Sequence, residues 1–299
     1  MKNFQGSVAV ITGAAGGFGR EFAIAGAALG MKLVLADVQQ TQLDATVAEL
    51  AAKGAEVVGL RCDVSRGEDV EALARLAICK FGGVNLVFNN AGVGSGGLIW
   101  ENTVKDWEWV LGVNVWGVIH GVRIFTPLML AQAKQDAEYE GYIVNTASMA
   151  GLLSPQLTGA YNVSKHAVVT LTETLFHDLN LVTRQIGCSV LCPAFVPTGI
   201  SSSHRTRPAD LQNESAPTES MMLAQKMVHK AVSSGKLTAA DVANMTFKAI
   251  REQKFYIITN PKIMATVKLR LEDIEQMQNP RDPFALQTEH RPVLNGSSL

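Results

Sequence analysis

The 299-residue chain has little of the features that mark several classes of protein. It contains only four cysteines, none in a C-x-x-C pair, which favours buried thiols in a reducing compartment over a disulfide framework or a zinc site. Its 26 basic and 27 acidic residues leave a net charge of −1 without a block of like charges, which argues against nucleic acid and anionic membranes as main partners. No apolar run approaches the roughly 18 residues of a membrane span, and the N-terminus lacks the apolar core of a signal peptide. We therefore expect a cytoplasmic protein with no membrane partner.

What the chain has instead is a large apolar fraction, 47% of its residues, and 26 glycines. Continuous Val/Ile/Leu runs, typical of parallel strands buried on both faces, predict strands at 8–12, 32–37, 56–63, 85–89, 142–146, 188–191 and 255–259. Amphipathic segments between them predict helices at 17–29, 41–53, 68–81, 104–134, 160–183 and 238–253. This alternation predicts an α/β fold, a Rossmann-type doubly wound parallel sheet of about seven strands with helices on both faces, in a single domain.

Two regions depart from the alternation. Residues 199–236 are rich in Ser, Thr, Pro and charge around a Met-containing helical patch at 221–232, and we expect a substrate lid there. Beyond the last strand a helix is predicted at 264–277, followed by a polar tail. We therefore assign residues 1–260, lid included, to the catalytic domain and 261–299 to a C-terminal helix and tail that do not form a separate domain.

The first strand leads into a glycine-rich turn, TGAAGGFG at 12–19, directly before a helix. Glycine permits a tight turn and lets backbone N–H groups approach a pyrophosphate, which the N-terminus of the helix attracts. A plain turn is the alternative for a glycine cluster taken alone, but the position between strand and helix favours a dinucleotide site. The residues predicted to surround the pyrophosphate are Gly13, Gly16, Gly17, Phe18 and Gly19.

Polar residues that suit a nucleoside stand at the ends of the next strands. Asp37, at the end of the second strand, can accept both ribose hydroxyls and would repel a 2′-phosphate, and we expect Arg20 to face solvent or a neighbouring loop. This arrangement favours NAD over NADP, although a turn carboxylate is the alternative for Asp37 alone. Asp63 can bond the adenine edge, and the turn that contains Asn90 can support a ribose.

Ser148, Tyr161 and Lys165 form a candidate catalytic set. Tyr161 and Lys165 are four residues apart on a predicted helix and therefore share a face. A phenol with an ordinary pKa of about 10 is a poor base at neutral pH, and a cationic lysine beside it would lower that pKa. An isolated Tyr-x-x-x-Lys pair is usually structural. However, the polar and glycine signals all fall at the carboxyl ends of predicted parallel strands, which line one crevice.

Taken together, the motifs resemble the classical short-chain dehydrogenases/reductases over about residues 5–260. The likeness rests on TGAAGGFG, NNAG at 89–92, WVLGVNVWG with Asn114, IVNTAS with Ser148, YNVSK at 161–165 and PAFVPT at 193–198. Ala194 stands where the family usually has glycine. The resemblance implies an NAD-dependent oxidoreductase that interconverts a secondary alcohol and a ketone by hydride transfer.

The resemblance also implies a role for each matching residue. Tyr161 would be the general acid/base, and Lys165 would bind the nicotinamide ribose and lower the pKa of Tyr161. Ser148 would orient the substrate oxygen, and Asn114 would hold a water that completes a proton relay. The remaining cofactor contacts assigned in this way are Asp63, Val64, Asn90, Ala91, Gly92, Pro193, Val196 and Thr198, the last two at the nicotinamide carboxamide.

Other readings of the chain stay open. A catalytically silent NAD-binding regulatory protein is the main alternative, although the complete Asn–Ser–Tyr–Lys set argues against it; a non-redox lyase would have little use for the dinucleotide site. The walls of the substrate site are expected to be mainly apolar, which favours a hydrophobic or aryl alcohol; they comprise 93–97, 150–153, Phe195 and the lid. Short stretches of the chain are also similar to bacterial aryl-alcohol dehydrogenases of the family. The resemblance further implies a homodimer or homotetramer, formed through the helices at 104–134 and 160–183.

Overall fold

The computed structural model describes residues 1–284, in which seven apolar runs form one parallel sheet. The strands are β1 Val8–Thr12, β2 Lys32–Asp37, β3 Val57–Arg61, β4 Leu86–Asn89, β5 Gly141–Thr146, β6 Ile186–Cys192 and β7 Tyr256–Ile258. Their order is β3-β2-β1-β4-β5-β6-β7, and every neighbouring pair is parallel. The predicted Rossmann-type doubly wound sheet is confirmed.

Helices cover both faces of this sheet. They are α1 Gly17–Ala28, α2 Gln40–Ala52, α3 Gly67–Phe81, α4 Val104–Leu111, α5 Gly117–Gln135, α6 Gly159–Val182, α7 Glu219–Ser233, α8 Ala239–Arg251 and α9 Met264–Glu275. Because successive strand side chains point to opposite faces, Ala9 and Ile11 of β1 pack with α1, α2 and α8, whereas Val8 and Val10 pack with α3, α5 and α6. Every residue of β1 is buried, which explains why its sequence is continuously apolar.

The chain order creates a crevice at the carboxyl ends of the strands. The connections run outward from β1 through β2 to β3, and β4 then pairs with the other side of β1. In an open parallel sheet the loops on the two sides of such a reversal diverge and leave room for a ligand. The glycine turn after β1 and the NNAG turn after β4 therefore face one another across this point.

The predicted helix at 104–134 is interrupted by a π-helical turn. The structure has α4, then a π turn at Gly112–Trp116, then α5. By length and composition alone the stretch Val104–Gln135 is long and apolar enough to cross a membrane, with a mean hydropathy of 1.3 over its most apolar window, although Asn114, His120 and Arg123 interrupt its apolar runs. In this fold α5 packs on β4 and β5, and covering a sheet accounts for its apolar side chains.

The two irregular regions are largely structured. Residues 199–236 contain 3₁₀ turns at Gly199–Thr206 and Ala209–Leu211, and α7 corresponds to the predicted Met-containing helix. After β7 a 3₁₀ turn at Pro261–Ile263 leads into α9. Most of the predicted polar tail lies outside the described residues, and the division into catalytic domain, lid and tail stays a prediction.

The four cysteines are free thiols with different surroundings. Cys62, Cys188 and Cys192 are buried, and burial raises the pKa of each to about 12. Cys79 is exposed, so the expectation that all four are buried is wrong for this residue. Within residues 1–284 no three His, Cys, Asp or Glu side chains are grouped so that they could hold a metal ion.

Candidate active site

The turn between β1 and α1 offers unfilled backbone donors to an anion. Helix α1 begins at Gly17 after the N-cap Gly16, without a side-chain cap and without an acidic residue in its first turn. The first N–H groups of a helix lack intrahelical partners and carry a partial positive charge. A Cβ on Gly16 would meet nothing within 4 Å, so open space lies beside these donors, whereas a Cβ on Gly19 would lie 2.0 Å from the Gly13 carbonyl oxygen. The cradle therefore fits a pyrophosphate, and it needs glycine to stay open.

Asp37 is placed directly beside this turn. Its Oδ2 accepts a hydrogen bond from the Ala15 N–H at 3.0 Å, and its Oδ1 accepts one from the Gln39 N–H at 2.9 Å. One candidate cation for a 2′-phosphate, Arg20, is engaged by Glu49 at 2.5 Å and by a second carboxylate on its own helix. The arrangement thus places a carboxylate beside the glycine turn and leaves Arg20 paired with other acidic side chains.

Thr12 fastens the glycine turn to the loop after β4. Its Oγ1 accepts hydrogen bonds from the N–H groups of Asn90 and Ala91 at 2.9 and 3.1 Å, and donates to the Phe88 carbonyl at 3.1 Å. The Asn90 Nδ2 returns a bond to the Thr12 carbonyl at 2.9 Å. A Cβ on Gly13 would lie 2.9 Å from the Ala91 Cα, so the two loops touch. The Asn90 side chain holds these loops together, and any support that it gives to a ribose is indirect.

The candidate adenine contacts lie after β3. Asp63 Oδ1 accepts from the Ser65 N–H at 3.0 Å and from its hydroxyl at 2.6 Å, which fixes the carboxylate at the start of α3. The Val64 side chain is buried against Gly117, where an added Cβ would come within 2.7 Å of it. Only the main chain of Val64 is therefore suited to contact an adenine, and both assignments stay predictions.

The three candidate catalytic side chains meet between β5 and α6. Burial raises the pKa of the Tyr161 phenol, and a hydrogen bond with the Ser148 side chain opposes this rise. The Ser148 Oγ also accepts from the Ala150 N–H at 3.1 Å. Lys165 donates from Nζ to the Thr146 carbonyl at 3.0 Å and lies 5.6 Å from the centre of the Tyr161 ring.

The electrostatics of this set differ from the sequence-based expectation. Burial lowers the pKa of Lys165 to about 8, so the lysine loses part of its charge in mildly alkaline solution. Its ammonium is not a direct partner of the Tyr161 hydroxyl. The pKa of Tyr161 is raised and not lowered, because the effect of burial exceeds that of the hydrogen bond with Ser148.

Asn114 supports the catalytic set from the π turn. Its Oδ1 accepts from the Val93 N–H at 2.8 Å, and its Nδ2 donates to the Val93 carbonyl at 2.9 Å and to the Ser164 Oγ at 3.0 Å. Ser164 in turn donates to the Tyr161 carbonyl at 2.7 Å. An amide so engaged has little capacity for a water, so the relay water assigned to Asn114 stays a prediction and would have to use its main chain. A Cβ on Gly92 would lie 3.4 and 3.5 Å from Asn114 Oδ1 and Lys165 Nζ, so these groups flank Gly92.

The loop after β6 closes the site on its remaining side. The Pro193 carbonyl accepts from the Met149 N–H at 2.8 Å, and Thr198 lies over Gly17, 3.5 Å from where a Cβ would stand. Val196 is buried beneath this loop. Ala194 has no positive φ; the left-handed residue is Phe195 at +48°, so alanine at position 194 is accommodated without strain.

Residues 199–236 are held to the rest of the protein by a buried ion pair. The Arg207 Nη1 lies 2.6 Å from the Asp106 Oδ1, both side chains are at most one-tenth exposed, and the guanidinium stacks 5.2 Å from the Trp109 ring. Asn213 bonds the same carboxylate at 3.0 Å. Arg207, which belongs to the predicted substrate lid, is thus committed to a structural contact.

Sequence reasoning missed three residues that hold the site residues in place by hydrogen bonds: Thr12, Thr146 and Ser164. Thr12 had a signal, because it is a polar residue at the end of a buried strand. Thr146 acts through its main-chain carbonyl and Ser164 through a contact with the distant Asn114, so neither contribution is visible in local spacing.

Comparison with known proteins agrees with this geometry. The family model described as short chain dehydrogenase matches residues 7–209. A dehydrogenase/reductase of CLA biosynthesis from Lactiplantibacillus plantarum is 34% identical over 92% of this chain and 95% of its own length. A C alpha-dehydrogenase from a Sphingobium species is 34% identical over 88% of this chain and 83% of its own. The crystal structure of a short chain dehydrogenase/reductase from Burkholderia phymatum in complex with NAD is 59% identical, with a TM-score of 0.92 over 95% of this chain and 99% of that one.

Proposed function

The chain belongs to the short chain dehydrogenase family, and from that premise we propose that it interconverts a secondary alcohol and a ketone with NAD as the cofactor. The observation that carries the proposal is the meeting of Ser148, Tyr161 and Lys165 beside the uncapped start of α1. A phenol, a hydroxyl and an amine at one crevice suit proton transfer to or from an alcohol oxygen. The substrate is proposed to be hydrophobic or aryl.

NAD is favoured over NADP by two contacts on the adenosine side. Asp37 presents a carboxylate beside the turn at Ala15, and a 2′-phosphate there would meet a negative charge. Arg20, a candidate partner for such a phosphate, is already paired with Glu49. Gly13, Gly16, Gly17, Phe18 and Gly19 would hold the pyrophosphate, and Val196 and Thr198 the nicotinamide end.

In alcohol oxidation Tyr161, in its phenolate form, would take the hydroxyl proton of the substrate, and in ketone reduction its phenol would return that proton. NAD, when bound, supplies the acceptor for the hydride that leaves the carbinol carbon. Ser148 holds the substrate oxygen through its hydroxyl, whose Oγ is itself fixed by the Ala150 N–H. Lys165, fixed by the Thr146 carbonyl, provides positive charge near the phenol. Asn114 and Ser164 position the backbone of Tyr161.

We further propose that the protein acts on a neutral small molecule as a homodimer or homotetramer in the cytoplasm, with neither nucleic acid nor a membrane as a partner. Exposed apolar side chains on the long helices, Trp116, Phe176 and Leu181 among them, support an assembly surface. The balanced charge of the chain supports a neutral substrate.

The test is turnover of a panel of aliphatic, aryl and polycyclic secondary alcohols, each with NAD and with NADP, by the wild type and by Tyr161→Phe. We expect NAD-linked oxidation by the wild type, and a loss of roughly 10²–10⁴-fold in kcat for the variant because the acid/base group is gone. Binding of NAD to both proteins is the control for folding. Near-normal turnover by Tyr161→Phe would contradict the assignment, and NAD binding without turnover of any alcohol or ketone would favour a regulatory protein.

A further inference from the structure

The chain turns back after α9 and runs toward the candidate active site. Two residues after α9 ends at Glu275, Met277 adopts the left-handed region at φ 53°. The Gln278 N–H donates to the Asp273 carbonyl at 2.8 Å, and the chain reverses here. Arg281 then anchors the returning segment, because its Nε and its N–H bond the buried Asp273 carboxylate at 2.6 and 2.9 Å. We call residues 277–284 the C-terminal strap.

The strap is tied to the loop that follows the catalytic serine. The Gln156 Nε2 donates to the Asp282 Oδ1 at 2.8 Å, and the same oxygen accepts from the Phe284 N–H at 2.9 Å. Gln156 lies in the stretch between Ser148 and Tyr161. The two bonds therefore fix the end of the strap next to the segment that connects Ser148 to Tyr161 in the sequence.

Between the strap and this loop lies a cavity of about 190 Å³. Six of its eight described lining residues are apolar: Met149, Leu153, Phe195, Ile263, Pro283 and Phe284. It begins one residue beyond Ser148 and reaches the loop after β6. None of the described lining residues comes from 199–236, the segment that the sequence analysis predicted as the substrate lid.

The chemistry of the wall defines what the cavity can hold. A dry apolar cavity of roughly 150 Å³ binds a benzene ring, so this volume suits one six-membered ring with a small substituent. Two neutral polar residues, Asn260 and Thr266, complete the lining, and no described lining residue is charged. The Asn260 Oδ1 accepts from the Lys262 N–H at 3.2 Å, which leaves its amide nitrogen to donate to a substituent oxygen.

We propose that this cavity receives the part of the substrate remote from the reacting carbon, a single neutral ring, and that Phe284 of the strap sets the size of ring accepted. The inference rests on the proposed function for the reacting end of the substrate. Gln156 acts as a positioning residue, since it touches the strap and not the ligand. The C-terminal region, and not only residues 199–236, thus determines specificity.

The test compares Phe284→Ala and Phe284→Trp with the wild type on an aryl methyl carbinol with one ring and on its naphthyl homologue. In Phe284→Ala the ratio of kcat/KM for the one-ring over the naphthyl alcohol is expected to fall by about tenfold or more, since a hydrophobic pocket discriminates by 10–200-fold for small changes in fit. Phe284→Trp is expected to move the ratio the opposite way. Gln156→Ala, which loosens the strap without altering the lining, is expected to change the ratio in the same direction as Phe284→Ala but by less.

The matched control is Ile274→Ala, which removes a similarly large apolar side chain from α9 at a position that is 60% exposed and does not line the cavity. It is expected to leave the ratio unchanged. A ratio that is the same in Phe284→Ala and Phe284→Trp as in the wild type overturns the proposal while the proposed function stands.

If the wild type oxidises no alcohol, the proposed function fails and the cavity is judged by calorimetric binding of the corresponding one-ring ketone. Binding that Phe284→Ala weakens by about tenfold then supports the cavity assignment. Equal binding to both proteins, or none to either, refutes it.

Discussion

Replacing Asp37 by alanine tests how the chain selects its cofactor. The carboxylate accepts hydrogen bonds from the N–H groups of Ala15 and Gln39 at 3.0 and 2.9 Å, so its removal alters the turn for any dinucleotide. A ribose hydroxyl bound to a carboxylate adds about 1.5–3 kcal/mol, and its loss corresponds to a fall of roughly 10- to 150-fold in kcat/KM for NAD. For NADP the damage to the turn is offset, because the repulsion between the carboxylate and a 2′-phosphate is removed.

The ratio of kcat/KM for NAD over NADP therefore isolates the ribose contact from the damage to the turn. We expect this ratio to fall by at least tenfold in Asp37→Ala, measured with one alcohol at saturation. Asp44→Ala removes an acidic side chain from the exposed face of α2 and serves as the matched control, with an unchanged ratio. A ratio that Asp37→Ala leaves at the wild-type value would refute the placement of the ribose at Asp37.

Two further predictions concern buried charges. The pKa of Lys165 in the folded chain is lowered to about 8, so above that pH the unfolded chain binds a proton that the folded chain has lost. The free energy of unfolding of the wild type, relative to that of Lys165→Met, should therefore rise by up to about 1.4 kcal/mol per pH unit between pH 8 and 9. Urea unfolding at several pH values measures this difference. A difference that is flat or falling over this range would contradict the burial of the ammonium. Arg207→Met leaves the buried Asp106 carboxylate without its cation and should lower the free energy of unfolding by about 3 kcal/mol, with Arg205→Met, an exposed arginine of the same segment, as the control. Equal stability of the two arginine variants would show that the ion pair contributes nothing.

The strands and most helix bounds follow from local sequence. Runs such as Val8–Thr12 and Lys32–Asp37 are buried on both faces, and burial on both faces is what makes a strand continuously apolar. The glycine turn is equally local, because φ angles of +66° at Gly13 and +51° at Gly17 favour glycine. Features that depend on one strand or turn at a time could therefore be predicted.

Features that depend on distant contacts could not. The π turn at Gly112–Trp116 coincides with the bonds from Asn114 to Val93 and Ser164, which lie 21 and 50 residues away in sequence. The contact that holds the predicted lid is equally remote in sequence, because Asp106, the partner of Arg207, lies 101 residues earlier. The direction of the Tyr161 pKa shift likewise depends on burial, which the Tyr-x-x-x-Lys spacing does not reveal.

The central claim, hydride transfer from a secondary alcohol under proton transfer by Tyr161, is tested most directly with an alcohol that carries deuterium on the carbinol carbon. The account predicts that the wild type transfers the deuterium to the nicotinamide ring, detected by mass spectrometry of the reduced cofactor, and that Tyr161→Phe transfers it far more slowly with the same destination. Deuterium that appears in solvent, or a ketone formed without reduction of the cofactor, would contradict the claim.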